Sequence, residues 1–171
     1  MSFSLILGGS TDLNLYGFCD STWADDKNNR RSTSGYLFFI GKSCISWSSK
    51  KQVTVALSST EAEYMALAHA SKEAIWLRTL LGELGFPQEK PTLILQDNQG
   101  AIALAKNPIV QQNSKHIDIR YHFVKELIER KTLKIEYIPT ERMVADIMTK
   151  ALCKPKFERH RSCIGIEEDI R

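Results

Sequence analysis

The stretch "STEAEYMALAHASKEAIWLRTLLGELGFP", residues 59–87, is rich in Ala, Leu, Glu and Met, has no Pro before Pro87, and closes on Gly-Phe-Pro. That composition and the terminal glycine predict one long helix from Ser59 to Leu84. Two glutamates stand at its head, Glu61 and Glu63. At 3.6 residues per turn, positions two apart point roughly 200° away from each other, so the two cannot share a face. Steps of four and three from Glu63 reach Leu67, Ala70, Ala74, Leu77, Leu81 and Leu84, an unbroken apolar stripe. The same steps from Glu61 reach Met65, Ala68, Lys72, Ile75, Thr79 and Gly82, a mixed set. The stripe must pack on a sheet, so Glu63 points inward, and Glu61 reads as a solvent-facing first-turn acid favoured by the helix dipole. A capping box with Thr60 as N-cap and Glu63 at N3 is a competing structural role.

Before this helix, "LNLYGFCDSTWA" (13–24) alternates and carries aromatics, and "SGYLFFIG" and "SCISWSS" are two further aromatic and β-branched runs separated at Gly41 and Lys42. Together they predict a three-stranded meander. After it, "PTLILQD" reads as a buried strand, "NQGAIALAKN" as a short helix halted before Pro108, and "DIRYHFVKELIERK" as a helix. "TLKIEYIP" then reads as a last strand and "ERMVADIMTKAL" as a last helix. Strands joined through helices pair in parallel, whereas the first three are joined by short turns. The expectation is an α/β fold: a mixed five-stranded sheet, three antiparallel strands and then parallel ones, with helices on both faces. Residues 1–152 form one domain, and 153–171 form a basic C-terminal tail, the one candidate for a loose end.

A chain of 171 residues suits a single domain and buries roughly 70% of its unfolded surface. It is 43% hydrophobic and 25% charged, with no apolar run near the ~20 residues that would span a bilayer. The opening "MSFSLILGG" lacks a basic n-region and its apolar run is too short for a signal peptide, so an intracellular protein is expected. Cys19, Cys44, Cys153 and Cys163 form no C-x-x-C pair, which argues against a zinc site and against structural disulfides. Net charge is only +3, but basic residues gather in four places: Lys27, Arg30 and Arg31; Lys50 and Lys51; Lys115 and Arg120; and "CKPKFERHR". Four such segments on one small domain point to a polyanion partner.

The acids fall where packing does not ask for them. Asp20 lies at the end of the first strand between Phe18 and Trp23, where a carboxylate resists burial without a partner. Asp97 ends "TLILQ" and starts a helix, a position that suits either an N-cap or a ligand at the carboxyl edge of a parallel sheet. Asp146 is apolar on both sides in "MVADIMTKAL" and reads equally as a satisfied surface acid or a site residue. In this topology the first strand, the start of the long helix and the end of the fourth strand can converge at one sheet edge, with the last helix folding back over it. Asp20, Glu63, Asp97 and Asp146 would then meet. Carboxylates at close quarters need cations, and hard oxygen donors without His or Cys suit Mg²⁺ or Mn²⁺. Two such ions form the usual clamp for phosphodiester displacement.

At these residues the sequence resembles the ribonuclease H domain of copia-type retrotransposon Pol polyproteins, from about Leu5 to Gly165. The matching segments are "GFCDSTWADD", "STSGYLFFIG", "ISWSSKKQVTVALSSTEAEYMAL", "DNQGAIALAKNP", "SKHIDIRYHFVKE", "YIPTERMVADIMTKAL" and "KFERHR". The family's catalytic glutamate stands in an E-[LY]-x-A segment, which Glu63-Tyr64-Met65-Ala66 matches and Glu61 does not. The resemblance implies a ribonuclease H-like fold, Asp20, Glu63, Asp97 and Asp146 as the catalytic and metal-binding set for two Mg²⁺ ions (or Mn²⁺), and hydrolysis of RNA paired to DNA. It also implies the reverse transcriptase region of the same polyprotein as partner, and a place in the cytoplasm, in virus-like particles, or in the nucleus. Cellular relatives often carry a histidine in the loop before the last acid. Here "IPTERMVA" has none, and His116 and His122 of "KHIDIRYHF" read as packing or phosphate-contact residues. Ser48, Lys50, Lys51, Asn98, Gln99, Lys115 and Arg120 are the candidate contacts to an RNA/DNA hybrid. Two alternatives stay open: a non-catalytic nucleic-acid-binding or structural remnant of a polyprotein, and an integrase-like strand-transfer domain.

Overall fold

The computed structural model describes residues 2–106 and 115–169, the side chains of 115–118 excepted. Its centre is a five-stranded sheet built from β2 (Leu15–Ser21), β3 (Thr33–Ile40), β4 (Ser43–Lys51), β5 (Thr92–Gln96) and β6 (Leu133–Tyr137), with β1 (Phe3–Leu5) lying outside it. The spatial order is β4-β3-β2-β5-β6; β2, β3 and β4 run antiparallel, while β2-β5 and β5-β6 are parallel. This is the predicted mixed sheet. The parallel pairs follow from the connections, because α1 (Ser59–Glu83) carries the chain from the meander to β5, and α2 (Gln99–Lys106) and α3 (Lys115–Glu129) carry it from β5 to β6.

Alternating strand residues feed two cores, one on each face. Cys19, Tyr36, Phe38, Ile94 and Ile135 pack under α1, α2 and α3, against Leu67, Ala70, Ala74, Leu77, Ala101, Ile102 and Val124. Phe18, Leu37 and Phe39 face the other way, against Met143, Val144, Ala145 and Ile164. The α1 stripe is as predicted up to Leu81, but the helix buries more than a stripe: residues 62–68 are all buried. Met65 on the second face packs with Ala56 and Ala62, because the loop between β4 and α1 folds over it. At the far end Gly85 is left-handed, with Gly85 N–H on Gly82 O and Phe86 N–H on Leu81 O, the hydrogen-bond pair of a glycine-terminated helix.

The C-terminal part differs from expectation twice. "ERMVADIMTKAL" is not one helix: Thr140–Arg142 is a 3₁₀ turn, Met143 is extended, and α4 (Asp146–Thr149) is a single turn. Met143, Val144 and Ala145 pack on Phe18, Leu37 and Phe39 with Met143 extended, so the chain enters α4 from a non-helical, buried approach. The segment after Leu152, expected as a loose end, forms α5 (Lys154–Ile164) and β7 (Ile166–Glu168). β7 pairs antiparallel with β1, and Arg161 lies 4.6 Å over the Phe3 ring. No helix among the described residues is long and apolar enough to cross a membrane.

Candidate active site

Because β2 and β5 are parallel neighbours, their carboxyl ends lie side by side, and α1 begins above them. Asp20 at the end of β2, Glu63 in the second turn of α1 and Asp97 just past β5 each bring one carboxylate oxygen to within 4.8 Å of the others. Asp20 and Glu63 are buried, and Asp97 is half-buried.

Each acid has a distinct set of neighbours. Gln96 Nε2 donates to the Glu63 backbone carbonyl at 3.0 Å and to its Oε2 at 3.3 Å. Burial, then the charges of Asp20 and Asp97, push the Glu63 carboxyl up to about 8. Burial also raises Asp20, to about 6, against the opposing pull of Lys150 and the Thr149 hydroxyl. Asp97 Oδ2 accepts from the Thr140 hydroxyl at 2.7 Å. The N-cap alternative for Asp97 falls to its neighbour: Asn98 Oδ1 accepts the Ala101 N–H at 2.9 Å, so Asn98 caps α2 and the Asp97 carboxylate faces the other acids. The Thr60-Glu63 capping box is likewise not formed. Ser58 is the N-cap, its Oγ accepting the Glu61 N–H at 3.1 Å, and Glu61 Oε2 accepts the Leu57 N–H at 2.7 Å. Glu61 is thus the capping acid, tied to the turn before the helix.

Asp146 is fully buried but stands apart from the other three. Lys150 Nζ lies 2.7 Å from its Oδ1 and 3.0 Å from Asp20 Oδ1, and Lys156 ion-pairs its Oδ2. Although burial opposes it, these two ammonium groups hold the Asp146 carboxyl below the usual range. Lys150 therefore joins the first and fourth acids through its own charge. Neither lysine was singled out from sequence. The signal lay in the spacing, since Asp146 and Lys150 are i, i+4. Gly35, paired with Asp20, was also missed: a Cβ there would lie 2.6 Å from Met148 Cβ and 2.7 Å from Thr149 Cγ2, so the glycine lets α4 close onto β3.

The candidate hybrid contacts divide into groups. Lys50, Lys51 and Arg120 line one cavity of about 210 Å³ together with His69 and Lys72, on the α1 side of β4. Ser48 is turned towards Tyr36, where it shares a polar cluster with Ser46 and Glu73. Asn98 is committed to its cap, Gln99 is exposed at the head of α2, and the Lys115 and His116 side chains lie outside those described. His122 is exposed, its ring against Tyr121.

No protein-family model matches the chain. It is 42% identical over 165 residues to the retrovirus-related Pol polyprotein from transposon TNT 1-94 of Nicotiana tabacum, and 40% identical over 162 residues to that from transposon RE1 of Arabidopsis thaliana. Those alignments cover 96% and 95% of this chain but only 12% and 11% of the polyproteins. Among solved structures it is similar to LC11-RNase H1, isolated from compost, with a TM-score of 0.58 at 16% identity over 80% of this chain and 93% of that one. The same enzyme in complex with an RNA/DNA hybrid superposes with a TM-score of 0.56 at 13% identity, covering 80% and 94%. The N-terminal RNase H domain of Rv2228c from Mycobacterium tuberculosis gives 0.57 at 13% identity, covering 88% and 97%.

Proposed function

This chain is a homologue of copia-type retrotransposon Pol polyproteins and has the ribonuclease H fold, and we propose that it is an endoribonuclease cutting the RNA strand of RNA/DNA hybrids during reverse transcription. The observation that carries this reading is the convergence of Asp20, Glu63 and Asp97 at the carboxyl edge of β2 and β5. The donor set fits divalent cations: it is all carboxylate, two of its members are buried, and it contains no His or Cys. Two bound Mg²⁺ (or Mn²⁺) ions would supply an activated water on one side of the phosphodiester and charge stabilisation of the leaving oxygen on the other.

The chain's own part is positional. Gln96 and the rigid start of α1 fix Glu63, while Thr140 orients Asp97 and Thr149 orients Asp20. Asp146, on its separate turn, is the fourth candidate ligand, reached through movement of α4 or of the lysines. The cationic cavity of Lys50, Lys51, Lys72 and Arg120 would take the substrate backbone, leaving sequence unread. Selectivity for a hybrid would then come from 2'-hydroxyls on one strand and helix shape on the other. The same reading makes the reverse transcriptase region of the polyprotein the partner, and the cytoplasmic virus-like particle or the nucleus the place of action.

The test is incubation of purified protein with a doubly labelled RNA/DNA hybrid, with and without Mg²⁺ or Mn²⁺. Metal-dependent loss of the RNA strand with the DNA intact is the expected result. Cleavage that persists in excess EDTA would overturn the metal chemistry, and hybrid binding without cleavage under any divalent ion would favour the non-catalytic remnant.

A further inference from the structure

The reading above has four acids in one site, yet only three of them converge, and the reason is chemical. Both oxygens of Asp146 are taken by ammonium groups, Lys150 on Oδ1 and Lys156 on Oδ2, and Lys150 also spans to Asp20 Oδ1. Asp20 and Asp146 have essentially no solvent exposure, so without a cation between them two buried carboxylates would face each other. Lys150 supplies that cation. Its side chain is 35% exposed, with a four-methylene arm rooted at the end of α4, so the charge can leave for solvent without unfolding anything.

We propose that Lys150 is a built-in counter-cation: its ammonium stands between Asp20 and Asp146 as a stand-in for a divalent ion, and it must swing out before a metal can use Asp146. This inference rests on the divalent-metal reading of the site. Lys150 is a positioning residue, and it does two opposing things. It keeps the acids assembled when no metal is present, and it weakens metal binding by competing for the same two oxygens. Lys156, which among the described residues bonds Asp146 and the Thr140 carbonyl, contributes to holding Asp146 but does not bridge to Asp20.

The competition is measurable without any cleavage assay, by calorimetric titration of the purified, metal-free chain with Mn²⁺ and by thermal melting with and without it. Lys150→Met should lower the melting temperature of the metal-free protein while tightening Mn²⁺ binding by about tenfold or more, because the competing charge is gone. Lys150→Arg, which keeps a cation in place, should bind Mn²⁺ within about threefold of wild type. A purely structural lysine would also lower the melting temperature but would leave Mn²⁺ affinity unchanged or weaker, and that outcome overturns the proposal. If Lys150→Met does not fold on its own, Mn²⁺ should restore its fold, and failure to do so counts against it equally. If wild type binds Mn²⁺ and Lys150→Met binds no more tightly, only this inference fails. If neither protein binds Mn²⁺ at all, the metal reading of the site fails with it.

Discussion

Glu63→Gln in the metal-free protein gives the sharpest physical test of the site. Glu63 is 6% exposed, and its carboxyl is raised from 4.5 to about 8 by burial and by Asp20 and Asp97. A raised acid is protonated more readily in the folded chain than in the unfolded one. Its contribution is therefore fully present below the unfolded value of 4.5 and is lost as pH rises through about 8. At about 1.4 kcal/mol per pH unit, that interval has a ceiling near ~5 kcal/mol, which relaxation and water entry reduce to roughly 2–3 kcal/mol. Gln keeps the shape and still accepts from Gln96 Nε2, so little else is lost. Metal-free Glu63→Gln should match wild type near pH 4.5 and unfold several degrees higher at pH 8.5, at roughly 2–4 °C per kcal/mol for a chain of this size. Mg²⁺ or Mn²⁺ should then stabilise wild type more than the variant, narrowing or reversing the gap, and cleavage by the variant should be largely lost. The assay is a melting series across pH 4.5 to 8.5 with and without the ion. A difference between the two proteins that does not change with pH would refute the reasoning, because it would mean Glu63 carries no excess charge penalty.

Other outcomes follow from the same geometry. Glu61→Gln should cut nearly normally, since the amide oxygen can still accept from Leu57 N–H, with stability lowered by at most about 0.5 kcal/mol; a cleavage defect as large as that of Glu63→Gln would reverse the assignment. Asp97→Asn should leave the melting temperature close to wild type, because Asn98 supplies the cap, while cleavage falls by orders of magnitude; near-normal activity would remove Asp97 from the site. Gly35→Ala would force Met148 and Thr149 to shift, costing about 1–3 kcal/mol in a denaturant titration and disturbing α4 together with Asp146. Arg120→Ala should weaken hybrid binding about equally for all sequences and flatten its salt dependence by about one counterion, and an unchanged salt slope would take Arg120 out of the backbone contacts.

What was legible in the sequence was whatever depended on local periodicity. The phase of residues 59–84 alone separates Glu63 from Glu61, and the structure puts the first with Asp20 and Asp97 and the second at the cap. Which strands pair antiparallel and which parallel followed from which connections were long enough to hold a helix. What was missed depended on tertiary contact. Nothing local says that Met143, Val144 and Ala145 would be buried together on an extended approach to a one-turn α4. β1 and β7 are three residues each and pair across almost the whole chain, which no short window detects. The helix α5 is a different kind of miss, because its signals were present: Pro155 at its start, Gly165 in the left-handed region at its end, and buried His160 and Ile164 four apart. The weight given to its basic residues masked them.

The site also explains why its acids sit on the least deformable part of the fold. Three carboxylates held within 4.8 Å of one another would separate if their supports could yield. Asp20 is on the strand flanked by paired neighbours on both sides, Asp97 follows the next strand, and Glu63 lies in the run 62–68 of α1 that is buried all round. Each support is therefore anchored by apolar burial that the acids' repulsion does not overcome. Asp146, by contrast, is on a single helical turn whose approach depends on the absence of a side chain at Gly35. It is here, and only here among the four acids, that lysines neutralise both oxygens, while Asp20 shares one of those lysines, Lys150, on its Oδ1. Asp146 takes its counter-charges from its own sequence, four residues on at Lys150 and ten residues on at Lys156, and Lys150 also reaches back to Asp20 Oδ1.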